Sequence, residues 1–403
     1  MTELTFDFRD IFRVGRYGFS GKKMTVHFVG LVLAYLIYEI LVYLSLLIVG
    51  GSAVKDFWNK YALLPVCPWV EYSLEPITVI AMYIGIFVLF VIFFLTSTMV
   101  SKITMQQLRG DHFFSMGESA GFVKKNWKVV FGTFIGLIVI FVFCAITPIV
   151  VGLLGKIPAV GRIIVMLASI LTPLAFFLGL LMAYLIVVFG VSLFFVPSVV
   201  AAADSDTFET VYQHFSVIWN QPWRIVVYEI LLFGVKLICT SIWAIFCLIG
   251  FVVVMLPIRL LVPTDMMNIM WQTNRWLSGL IDGKLAGLPC IDGARVFDIV
   301  NEPVNVPIIL KIASIFMVVS LLCIAGLVIA YLLSIASAGN TLIYTMLRKR
   351  IDGENLLEVE EEEEVSPPTP SAEPSESQPA EETSEKEENQ ASNEEKSEND
   401  ATQ

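Results

Sequence analysis

Charged side chains are scarce in this 403-residue chain, at 16% against roughly 25% in ordinary soluble domains. That shortage, beside 56% hydrophobic residues, argues against a soluble globular protein. Cysteine is also sparse. Six in the chain are too few for a disulfide scaffold, and none is spaced Cys-x-x-Cys, which removes the zinc-ribbon and thioredoxin-like readings. Only three histidines occur, His27, His112 and His214, and none has a second ligand at helical spacing, so no metal site is expected. Gly-x-Ser-x-Gly, phosphate-cradling glycine loops and His-Glu-x-x-His are all missing. No catalytic residue, cofactor or nucleic-acid partner is therefore expected.

What charge there is falls unevenly. From Ile351 to Gln403 there are 19 acidic and 2 basic residues, giving −17, while Met1 to Arg350 carries +6. The chain thus divides into a basic membrane body, 1–350, and an acidic C-terminal segment, 351–403. That segment is rich in Glu, Ser and Pro and has no aromatic residue, so it cannot bury enough surface to fold and is expected to be disordered. It reads first as a solvated tail repelled by an anionic leaflet, and second as a docking segment for a basic cytoplasmic protein.

A bilayer core of about 30 Å needs roughly 20 apolar residues in a helix. Six runs qualify: Met24 to Val49, Pro76 to Val100, Val129 to Leu154, Leu171 to Val200, Ile225 to Leu256 and Val306 to Leu342. The first run is too long for a signal-peptide core, and it is expected to stay as a span. Between Arg162 and Asp204 lie 41 uncharged residues, where Pro173 is expected to separate an interfacial helix, Ile163 to Thr172, from the fourth span. Lysine and arginine set the orientation: with both termini inside, fourteen fall on the cytoplasmic side and eight outside. The fold class is an all-α membrane protein of the cell membrane, with the lipid bilayer as its main partner.

Each odd-numbered span follows a segment that reads as a cytoplasmic amphipathic helix. In the third, Phe208, Val211, Tyr212, Phe215 and Trp219 form one apolar stripe after a capping-box-like Asp206-Thr207-Phe208-Glu209. The second begins with the capping box Ser115-Met116-Gly117-Glu118 and ends in Asn126-Trp127-Lys128, matched later by Gln221-Pro222-Trp223-Arg224. Trp127 and Trp223 are expected to be interfacial anchors. The first places Phe6, Phe8, Ile11, Phe12, Tyr17 and Phe19 on its apolar side. These echoes imply three repeats of surface helix plus transmembrane hairpin, about 1–101, 102–203 and 204–350.

The passage from Phe194-Phe195-Val196-Pro197-Ser198 through Phe208 to Trp223-Arg224 resembles a pattern in bacterial multi-pass membrane proteins. They are similar to the membrane domain that accompanies some glycerophosphoryl diester phosphodiesterases. The resemblance implies membrane architecture and a bacterial inner-membrane setting. The phosphodiesterase barrel with its acidic metal ligands has no counterpart in this chain, so no activity is implied.

Ionisable residues within spans are the default functional candidates. Glu39 and Lys236 are the deepest and are expected to approach each other, first as a structural ion pair and second as a substrate or proton site. Glu229 and Lys311 are expected to pair locally or snorkel. Cys67 and Cys290, the cysteines outside the spans, fall on the predicted outer face and could form a disulfide. A helix is expected around Met266 to Leu280 in the outer loop, with Met267, Met270, Trp271, Trp276 and Leu277 on its apolar side. The sequence reads first as a non-enzymatic scaffold or accessory factor, with a transporter or permease using Glu39 and Lys236 as the alternative.

Overall fold

A computed structural model describes residues 4–358 except 62–64, 67, 69–73, 159, 204–205, 285–305 and 354, with side chains left out at 59, 60, 275–284 and 352. The acidic segment after Glu358 lies outside the described residues. A 3-10 helix, Phe8–Arg13, leads into α1 (Val14–Gly18), α2 (Gly21–Val49), α3 (Gly51–Tyr61), α4 (Pro76–Arg109), α5 (Met116–Gly155) and α6 (Val160–Ile170). There follow α7 (Thr172–Ala203), α8 (Thr207–Asn220), α9 (Pro222–Leu261), α10 (Pro263–Lys284) and α11 (Ile308–Asp352). Six of them, α2, α4, α5, α7, α9 and α11, are long and apolar enough to cross a membrane. The 11-residue α6 ends just before Pro173, which sits in the first turn of α7, where a proline costs no helical hydrogen bond.

The helices outrun the bilayer. At 34 residues, α4 is about 50 Å long, well beyond the roughly 30 Å hydrocarbon core. The surplus gathers at the end of the bundle where the first and last described segments meet, joined by Arg350 Nη2 to Asp7 Oδ1 at 2.6 Å. We call this the terminal end and the opposite one the far end.

Packing is concentrated at the terminal end. The residues from Ser337 to Leu347 of α11 are all buried, so this stretch is a hub rather than an amphipathic face. Around it lie Ile11, Val14, Met105, Val199, Val217 and Tyr228 from six other elements. Small residues make the approach possible. A Cβ built on Gly18 would stand 2.8 Å from the Ile335 Cα, and Ser334 Oγ donates to the Gly18 carbonyl at 2.7 Å. Some buried hydroxyls are satisfied within their own helix, as in Thr98 to Phe94 O at 2.8 Å and Thr341 to Ser337 O at 2.8 Å.

The three segments before the odd spans differ from one another in local structure. The second has its capping box, with Ser115 N donating to Glu118 Oε2 at 2.6 Å and Glu118 N to Ser115 Oγ at 3.2 Å. It then runs without a break into its span as the 40-residue α5. The third is a separate 14-residue helix because Pro222 lacks an N–H and starts α9 afresh. Asp206 caps it by accepting from Glu209 N at 2.8 Å, but Glu209 turns to accept from Gln213 Nε2 at 2.9 Å, so the reciprocal half of the box is not made. The first is a 3-10 turn followed by the five-residue α1, pressed against α11 through the Gly18 contact.

The apolar stripe expected on α8 is split. Val211 faces the core with Gln213, His214, Val217 and Ile218, whereas Phe208 and Trp219 are 82% and 73% exposed. The helix buries a mixed face and turns its aromatic side outward. At the far end, α10 spans the region expected to be helical and buries Met266, Met270 and Thr273, while Met267 is exposed. The side chains of Trp276 and Leu277 lie outside the described residues. The short α3 packs Phe57 and Tyr61 against Tyr38, Val42 and Met82.

Candidate functional site

The apolar stretches of α4 and α11 give way, toward the terminal end, to hydroxyl-bearing turns: Thr96, Ser97, Thr98 and Ser101 on the first, Ser334, Ser337, Asn340 and Thr341 on the second. Residues four apart share one face of a helix, so Ser97 with Ser101 and Ser337 with Thr341 form short polar stripes. Where these stripes meet α7 and α9 there is a cavity of about 690 Å³, within the range of small-molecule sites. Its polar lining includes Ser97, Ser101, Ser198, Lys236, Thr240 and Asn340, and its apolar lining includes Phe93, Leu193, Phe233 and Leu332.

Several of these polar groups have no hydrogen-bond partner. Ser97 Oγ, Ser101 Oγ and Thr240 Oγ1 are buried and unpaired, as is Asn340 Oδ1, although the Asn340 amide nitrogen donates to Phe194 O at 2.9 Å. Leaving such atoms dry costs about 1 to 3 kcal/mol each, so the site is built for polar company. Beside it, His27 Nε2 lies 3.2 Å from Ser337 Oγ, and the buried Lys23 donates to Tyr17 O at 2.9 Å and to Gln107 Oε1 at 2.7 Å. That lysine pins α1 and α4 to α2.

Lys236 does not meet Glu39. Its ammonium lies 3.9 Å from Glu229 Oε2, two turns earlier on α9, too long for a hydrogen bond. The pairing is local because residues seven apart return to the same helix face. Glu39 instead packs on α2 beside the Tyr38, Val42 and Met82 cluster, with Tyr35 and Tyr43 one turn to either side, and its Oε1 has no partner. The expected mid-membrane ion pair is thus corrected: Glu229 was the nearer partner, visible in the sequence as a seven-residue spacing.

Lys311 sits exposed in the first turns of α11. Trp127 and Trp223 are about half or more exposed, and the Arg224 guanidinium lies over the Trp223 ring at 5.2 Å, an arrangement suited to a headgroup region. Cys67 and Cys290 lie outside the described residues. The other four cysteines are free thiols. Among the described residues no group of three or more His, Cys, Asp or Glu gathers as a metal site would require.

Outside the spans, His214 on α8 is fully buried, and burial lowers its pKa to about 4 against the raising effect of its Nδ1 contact with Thr210 O at 2.7 Å. Gln213 next to it accepts a hydrogen bond from Tyr344 Oη at 2.5 Å, which ties α8 to the α11 hub.

Six apolar helices and the lipid-facing apolar surface of their far halves define a multi-pass integral membrane protein of the helical class. Set against known proteins, the chain matches no family model, no curated protein and no solved structure.

Proposed function

We propose that this chain is a non-enzymatic scaffold or accessory factor of the bacterial inner membrane, with both termini in the cytoplasm. The observation that carries this reading is the aromatic side of α8. Phe208, Tyr212 and Trp219 stay exposed although the core beneath them is already closed by Val211, His214 and Val217. Such a surface at a bundle end rich in cations suits contact with the membrane face or with a partner assembled there. The acidic segment 360–403 adds a second place for a basic cytoplasmic partner to dock. The resemblance to membrane domains that accompany phosphodiesterases fits an accessory role and carries architecture alone.

A photo-crosslinking residue at Phe208 or Trp219, in cells expressing the full chain or a chain ended at Gly353, tests this. The expected result is one discrete protein adduct from the α8 sites that weakens when the acidic segment is removed. Lipid adducts alone would sink the scaffold reading. The transporter alternative is favoured by one feature, the opening of the Lys236 cavity between helices. Because Glu39 lies outside that cavity, replacing Glu39 and Lys236 with apolar residues should leave any cellular role intact. Solute flux in reconstituted vesicles, abolished by the double substitution, would establish transport instead.

A further inference from the structure

The cavity between α4, α7, α9 and α11 has two chemically distinct parts, and neither is filled by the protein itself. Part of the lining offers the Lys236 ammonium, which lies 3.9 Å from the Glu229 carboxylate and makes no hydrogen bond to the described residues, and the unpaired hydroxyls of Ser97, Ser101 and Thr240. Ser97 and Ser101 are 4% and 0% exposed, so these donors are held away from bulk water and face the cavity they line. Another part is apolar, formed by Phe93, Leu193, Phe233 and Leu332. A cation with three hydroxyl donors matches an oxyanion carrying several acceptor oxygens, and a phosphate diester is the membrane group with that chemistry. The apolar part matches acyl chain.

The size and lining of the site select the source of the phosphate. The cavity lies where the apolar run of α4 ends at Leu95 and where α11 changes from Leu333 to Ser334. A volume of about 690 Å³ is far more than a free phosphate fills, and the cavity is partly open. Asn340 Oδ1, a buried acceptor without a donor, calls for a ligand that also carries a hydroxyl or ammonium N–H.

We propose that this cavity is a binding site for one membrane phospholipid, with the phosphate on Lys236, Ser97, Ser101 and Thr240 and a hydrogen-bond-donating headgroup at Asn340. The lipid acts as a structural ligand that fills the gap between α9 and the rest of the bundle. This site stands apart from the scaffold reading, since its occupant would be the same in a transporter.

The test uses the full chain purified in mild detergent. Bound phospholipid is counted by native mass spectrometry, then counted again after exposure to micelles containing diacylglycerol or to millimolar inorganic phosphate. The expected result is a single retained phospholipid that neither competitor displaces. Lys236→Gln should weaken retention about tenfold or more, since it removes the charge-assisted hydrogen bond to the phosphate. Ala336→Phe, which fills the cavity and keeps the charge, should abolish it. A lipid-free wild type, or equal retention by the wild type and both variants, overturns the proposal. Displacement by inorganic phosphate overturns the lipid source and leaves a free-phosphate site. If Lys236→Gln fails to fold, the wild-type count and Ala336→Phe decide the matter.

Discussion

The terminal and far ends of the same helices are packed by different rules. At the terminal end, α11 is buried on every side, and small residues, buried hydroxyls and a pinned lysine hold neighbours close. At the far end, the most apolar stretch of α9 has no buried residue, and the later half of α5 is lined with exposed Ile146, Ile149, Val150 and Leu153. In lipid there is no hydrophobic gain from packing one apolar helix on another, so association depends on close steric fit and on polar contacts. The terminal end supplies both. The far end leaves its apolar surface to the acyl chains.

The strongest way to break this contrast is at Gly18. Gly18→Ala would drive a methyl group into the Ile335 backbone, and a loss of about 3 kcal/mol is expected, read as a lowered unfolding midpoint in detergent. Acid comes next. His214 is neutral when folded, with its pKa depressed to about 4, so its contribution is complete above the unfolded value near 6.5 and is lost as pH falls from there toward 4. The polar groups around it are Thr210, Gln213 and Tyr344, none of them charged over this range. A drop of as much as roughly 3 kcal/mol is expected between pH 7 and pH 4, and His214→Leu should remove that part of the pH dependence.

Smaller again is the effect expected of Tyr344→Phe, which strands the buried Gln213 Oε1 and should cost about 1 to 2 kcal/mol by thermal unfolding. The mildest change is at the far end. Val253→Ala, at an exposed position on α9, should stay within about 0.5 kcal/mol in detergent. A far-end substitution costing as much as Gly18→Ala would erase the contrast.

Much of the fold was legible because hydrocarbon imposes a length requirement that any reader of the chain can apply. The six long helices, the division near Pro173, the capping box at Ser115 and the N-cap at Asp206 were visible as apolar length, a missing N–H and a cap residue. The uniformity of the three presumed surface helices was not, since Asn126-Trp127-Lys128 and Gln221-Pro222-Trp223 look alike while only the second contains the proline that breaks a helix. The α8 stripe misled for a related reason: spacing places Phe208 and Val211 on one face but cannot say which polar neighbours the core will accept.

The candidate site was less legible than the fold. Ser97, Ser101, Ser337 and Asn340 could be seen as the small polar ends of their spans, and Lys236 as an intramembrane charge. Nothing in their spacing joins α4 to α9 or α11. Charge alone suggested Glu39 as the partner of Lys236, because depth along a span can be counted while rotation about its axis relative to other helices cannot. The sequence by itself determined that this is a helical membrane protein with a basic body and an acidic C-terminal segment, because transfer of apolar length into lipid is a local property. Tertiary structure alone decided that the inner turns of α11 form the hub, that Glu39 and Lys236 stay apart, and that four helices line a cavity where polar and apolar side chains meet, because each of these depends on which helix faces meet.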